Sequence, residues 1–237
     1  KNAINLEGKL PDTDGKISKI IQKGDPSFAL VAKNIVLNSN NINISTNLKS
    51  ENNLSVIAGQ NLNINHAQLT SGQSQSLIAN NDLILKQVNL SAKDSALIAK
   101  NGNLQYGLSS ISIFKDNGLS PSSINASDSL YIQAGKNATF DNVLLGKVNK
   151  LTVNANENIL IRRVESQLMK LAASEPVASI NALLTKTGNW ASSGEISLTA
   201  GKNIEARGIT FNSGKLITFN AGQDILLGSK AIKDVDN

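Results

Sequence analysis

Side chains able to do chemistry are few and scattered in this chain of 237 residues. His66 is the single histidine and there is no cysteine, whereas nucleophilic catalysis and zinc ligation need such groups in close company. The carboxylates Asp94, Asp116, Asp128 and Asp141 share no common spacing. Cleavage of a glycosidic bond needs two carboxylates held on one face. Arg162 and Arg163 are neighbours; in a strand they would point to opposite faces, so at least one is expected at a corner. Both read as solvated charge, with contact to an acidic ligand as the sharper reading, and His66 reads as a surface polar residue. No His/Cys cluster and no Gly-Gly-x-Gly-x-Asp calcium repeat is present. These residues predict no catalysis, no cofactor and no metal.

The elements that would position any site repeat along the chain. Ala-Gly-Lys-Asn-Ile at Ala200 returns as Ala-Gly-Gln-Asp-Ile at Ala221, and the phrase can be followed back through Ala155, Ala134, Ala99, Ala79 and Ala58 to Ala32. The successive intervals are 26, 21, 20, 35, 21, 45 and 21 residues, which predicts a unit of about 21 residues with insertions. Two positions before each alanine stands Leu30, Val56, Leu77, Leu97, Ile132, Val153, Leu198 or Phe219. Four before, the residue is apolar except at Gln75 and Ser95. This period of two predicts a strand with one buried face.

After the alanine comes Gly59, Asn80, Gly135, Asn156, Gly201 or Gly222. These are residue types that accept positive φ, which predicts a corner. An Asn or Asp follows two residues later, at Asn61, Asp82, Asn137, Asn158, Asn203 and Asp224. Stacked above one another, such side chains form a hydrogen-bonded ladder. A second strand then begins, as in Leu62-Asn63-Ile64 and Ile159-Leu160-Ile161.

A unit this short cannot bury a core by itself, but stacked coils can. Parallel pairing between coils gives an all-β, right-handed parallel β-helix. A leucine-rich repeat has a similar period, but its Leu-x-x-Leu-x-Leu strand and its helix do not recur here. The expected organisation is an irregular or edge-strand segment over 1–27, the β-helix over 28–229, and a tail over 230–237.

Two insertions interrupt it. The one near 107–127 is rich in turn residues and carries Phe114 and Lys115; the one near 165–190 carries Trp190. Over Glu165–Thr185 the pattern predicts a helix, with Ser174 as N-cap, Pro176 in the first turn, and Val177, Ile180 and Leu184 on one side. Loops on a rigid scaffold commonly carry recognition, so Phe114, Lys115, Arg162, Arg163 and Trp190 are the candidate contact residues.

Aromatics make up 3% of the chain, and the net charge of +5 is spread along it. Neither nucleic-acid binding nor stable membrane insertion is expected, since no apolar run reaches the roughly 18 residues that span a bilayer. The chain opens on Lys1 and reads as a piece of something longer, monomeric as a fragment.

The phrase apolar-x-Ala-Gly-[Lys/Gln]-[Asn/Asp]-Ile with its following strands resembles the repeats of filamentous haemagglutinin-type exoproteins. The resemblance is strongest over Leu54–Leu85, Leu130–Ile161 and Ile196–Leu227. It implies secretion across a bacterial outer membrane through a partner transporter, and a place at the cell surface in an adhesin or a contact-dependent growth inhibition protein. The Asn-Pro-Asn motifs usual in the secretion domain of that family are absent, so the expected part is the shaft. Two functions follow: a structural shaft that projects a distal receptor-binding or toxin region, or an adhesive segment whose insertions contact a cell-surface receptor or glycan.

Overall fold

The computed structural model describes residues 3–7, 29–107, 122–164 and 187–232. Every pairing between its strands is parallel, and the chain winds as a β-solenoid of about eight coils. Each complete coil has three faces. The first face stacks 35–39 of β2 (Ala29–Ser39), 54–58 of β4 (Asn47–Ala58), β6 (Ser74–Ala79), 94–99 of β7 (Leu83–Ala99), 129–134 of β9 (Ser123–Ala134), 150–155 of β11 (Leu144–Ala155), β14 (Glu195–Ala200) and β17 (Leu216–Ala221).

The second face runs from β1 (Ala3–Glu7) through β3 (Asn41–Ser45), β5 (Leu62–Ser71), β7, β8 (Leu104–Gly107), β10 (Ala138–Asp141), β12 (Ile159–Arg162) and β15 (Ile204–Arg207) to β18 (Ile225–Gly228). The third face begins with 29–32 and 47–50, and closes with the separate pair β13 (Asn189–Ser192) and β16 (Thr210–Ser213). Strand β1 pairs in parallel with β3 at the start of the second face. Residues 8–28 lie outside the described residues, as do most of the two insertions.

Register confirms the repeat. Ala58, Ala79, Ala99, Ala134, Ala155, Ala200 and Ala221 pair in one column, and the first six are at most 6% exposed. The column's first member is Ser39, not Ala32, because Ser39 pairs with Ala58 while Ala32 pairs with Ser50 on the third face. The first interval is therefore 58 − 39 = 19 residues. Ala32 misled because the same alternation of apolar and polar residues runs through both faces of β2, and pattern alone cannot say which face a strand occupies.

The corner after the alanine is present, but its physical cause differs from the expected one. Among the described residues the positive-φ positions are His66, Gln87, Asn142 and Gly208, and none follows an alanine of the column. Glycine stands at 201 because a Cβ there would lie 2.0 Å from the carbonyl oxygen of Asn156 in the coil before. Close approach between coils, not handedness of the turn, selects it.

The asparagine ladder forms and is longer than expected. Asp82 N donates to Asn61 Oδ1 at 3.2 Å, Asn158 N and Nδ2 both donate to Asn137 Oδ1 at 3.2 and 2.8 Å, and Asn203 repeats the pattern on Asn158 at 3.2 and 3.1 Å. Asp224 N closes it on Asn203 Oδ1 at 3.1 Å. Asn41 and Asn103 are rungs too. Both escape the sequence pattern because the corner before Asn103 is one residue longer, and the corner before Asn41 follows a serine and is one residue shorter.

Inside the solenoid, aliphatic columns fill the coil. Val56, Leu77, Leu97, Ile132, Val153 and Leu198 form one of them, each at most 1% exposed. Gln75 and Ser95 stack on each other in the next column, between Leu54 and Leu130. Gln75 is 2% exposed, and neither its Oε1 nor its Nε2 finds a protein partner. A buried amide without partners costs about 1–3 kcal/mol. Gln75→Leu, which matches the rest of the column, is expected to raise stability by about 1–2 kcal/mol, seen as a higher denaturant midpoint with unchanged slope. Loss of stability would show that the amide is satisfied after all.

Candidate functional site at the corner between the second and third faces

Where the second face gives way to the third, the chain turns through left-handed backbone. His66 and Gln87 have φ of 51° and 53° and lie at equivalent positions, since Asn65 pairs with Lys86 and Ala67 with Val88. Asn142 (φ 53°) and Gly208 (φ 67°) follow Asp141 and Arg207, which stand in one column with Arg162. One left-handed residue thus turns this corner in four coils. His66 is exposed, as expected; partial burial lowers its imidazole pKa and the Gln87 hydrogen bond opposes the shift.

In two other coils the chain departs at this same corner. The first insertion leaves after Gly107 and the second after Val164, and Gly107 and Arg162 both stand in the column of Asp141. Sequence spacing predicted two insertions but not that they share one corner of the solenoid. Ser123–Ser127, expected in the first insertion, belong to β9, and Trp190, expected in the second, belongs to β13. Phe114, Lys115 and the helix expected over Glu165–Thr185 lie outside the described residues.

Both necks are pinned by buried polar groups. At the first, Ser122 Oγ donates to Gly107 O at 2.8 Å. The Tyr106 hydroxyl lies 2.8 Å from Val88 O and 2.6 Å from Ser123 O, and complete burial pushes its ionisation well above the ordinary phenol range. At the second, Asn142 is fully buried and uses its side chain as a piece of strand: Nδ2 donates to Val164 O at 3.1 Å and Oδ1 accepts from Val164 N at 2.9 Å. Ile232, expected in a tail, comes back to bridge Val164.

One of the two arginines, Arg163, stands at a corner, as expected, but Arg162 is not a solvated charge. Arg162 ends β12 and forms a two-pronged ion pair with Asp141, Nε to Oδ1 at 2.8 Å and Nη2 to Oδ2 at 3.0 Å. Their side chains are 17% and 9% exposed, so this is an inter-coil clamp and not a solvated charge. Arg163 follows the strand, at the corner, and its buried Nε has no partner. Among the described residues it has no acidic neighbour in an ion pair.

Arg163 borders a cavity of about 790 Å³. Leu144, Leu145 and Ile209 give it apolar lining, and Ser123, Asn125, Asn189 and Thr210 bring short hydroxyl and amide groups. No acidic side chain is among its described lining residues. The cleft therefore lies along the third-face side of the corner, beside the necks of both insertions.

Trp190 does not take part. It is 2% exposed and packs edge-on between Phe140 and Phe211, with ring centroids 5.2 and 6.3 Å away. Residue spacing does not separate an exposed insertion aromatic from an inward one, because it does not mark where β13 begins. Among the described residues no group of three metal-ligating side chains occurs, and no helix is long and apolar enough to cross a membrane. Comparison with protein-family models, curated proteins and solved structures finds no match.

Proposed function

We propose that this chain is a segment of the shaft of a large secreted bacterial surface exoprotein, projecting a distal receptor-binding or toxin region away from the cell. The supporting observation is the unbroken stack: one Asn/Asp ladder rises through every coil from Asn41 to Asp224. Such an array is quasi-one-dimensional, so its length grows by about 4.8 Å per coil without altering the cross-section. The exposed Leu216, Ile217, Ile225, Leu226 and Leu227 of the last coil are chemically suited to further stacking. An outer-membrane transporter would be its partner during export.

A second reading is favoured by the convergence of both insertions on one corner beside a cleft. In it the segment is itself adhesive and contacts a receptor or glycan on a host or bacterial cell. Binding of the labelled chain to related bacteria and to epithelial cells separates the two, compared with a version in which 165–185 are replaced by a short Gly-Asn turn. The shaft reading expects no saturable binding by either version. Saturable binding lost on shortening would replace it with the adhesive one.

A further inference from the structure

We infer that the corner cleft is a binding site for a carboxylated sugar. This deepens the adhesive reading by naming a ligand class, and it concerns the cleft whether or not the rod also serves as a spacer. Four observations carry it.

The volume of about 790 Å³ lies within the range of small-ligand sites. Arg163 supplies a cation that no carboxylate of the described residues neutralises, and its Nε is held out of water without a partner. The remaining N–H groups of this guanidinium can meet a carboxylate in the cleft with two parallel hydrogen bonds. Arg162, one residue earlier, already shows this geometry with Asp141.

The remaining polar lining suits a polyol. Ser123, Asn125, Asn189 and Thr210 are short groups that donate and accept, and they come from coils stacked one above another. Asn125 Oδ1 already accepts from Lys147 N at 3.1 Å, which orients the amide and leaves Nδ2 as a donor. Ring hydroxyls can use both the donors and the acceptors of these groups, whereas a simple inorganic anion would use only the donors.

The competing occupants fit less well. β9 is already paired on both sides, with β7 and β11, so a peptide adding itself as a strand would have to use β13, which pairs only with β16, and its main chain would offer Arg163 no carboxylate. A neutral sugar is usually held by stacking on an exposed ring. No aromatic residue is among the described lining of this cleft, and Trp190 is buried in the core. Affinity must then come from charge, which selects an acidic sugar over a neutral one.

The test is titration of the whole chain with free glucuronic acid, N-acetylneuraminic acid, galactose and a short glutamate-rich peptide, followed by calorimetry or amide chemical shifts. Binding of at least one sugar acid at least tenfold tighter than galactose or the peptide is expected, with shifts confined to 122–125, 144–146, 163, 188–189 and 208–210. Arg163→Gln is expected to weaken that binding tenfold or more, and Arg163→Lys to weaken it less. Thr210→Val, on the exposed side of the cleft, should weaken it severalfold with the fold intact. Equal binding of galactose or of the peptide, or unchanged affinity in folded Arg163→Gln and Thr210→Val, would overturn the proposal. Absence of sugar binding by a chain that still binds cells would overturn this inference and leave the adhesive reading standing; sugar binding without cell binding would do the reverse.

Discussion

Trp190→Ala is expected to be the most damaging single substitution, lowering stability by about 3–5 kcal/mol. Trp190 is 2% exposed and stands at the centre of a chain of rings running from Phe140 through Trp190 and Phe211 to Phe219, with centroid separations of 5.2, 6.3 and 5.0 Å. Edge-to-face pairs of this kind add about 0.5–1.5 kcal/mol each beyond the area they bury. The strand that carries Trp190 is also weakly anchored, since β13 pairs only with β16 in a sheet separate from the main one. An alanine would leave a void that the flanking coils, fixed by their ladders, cannot collapse into. The midpoint of thermal unfolding should fall by roughly 6–20 °C. Hydrogen exchange should locate the loss in 187–232, because damage in a one-dimensional stack stays near its coil. A loss under about 1 kcal/mol would show that the ring chain does not close these coils.

Asn142→Ala is expected to cost about 2–4 kcal/mol. The substitution removes both side-chain hydrogen bonds to Val164 and leaves its buried N–H and C=O without those partners. It also places an alanine at φ 53°, a region in which asparagine is better tolerated. Asn142→Asp separates the two causes. It keeps an acceptor for Val164 N–H and tolerates the same backbone, but turns the donor toward Val164 O into an oxygen. If the paired amide is what pins this neck, Asp should be as damaging as Ala. If backbone conformation dominates, Asp should be nearly neutral. Amide exchange at Val164 and Ile232, which bridge each other, reads the opening of the neck directly.

These two residues mark the division between what was legible and what was not. Asn142 carries no sequence signal: it follows Asp141 outside the repeated phrase, and its role depends on Val164 lying one coil above it. Trp190 was legible as a large aromatic but not as a core residue, because the second insertion hides where its strand begins.

Repetition along the chain makes the solenoid legible, with its unit of about 21 residues, the alanine and aliphatic columns from Ala58 onward, and six rungs of the ladder. The reason is that each coil must present the same residue types at the same phase to stack on its neighbour, so register constraints are written as repetition. It takes the folded coils to show that Ser39 and not Ala32 opens the alanine column, and that Arg162 is clamped to Asp141 while Arg163 borders a cleft. They alone bring both insertions to one corner. Those facts depend on which residues lie above one another across 19 to 45 positions of sequence, and stacking distance in space is indifferent to the length of chain looped out between two coils.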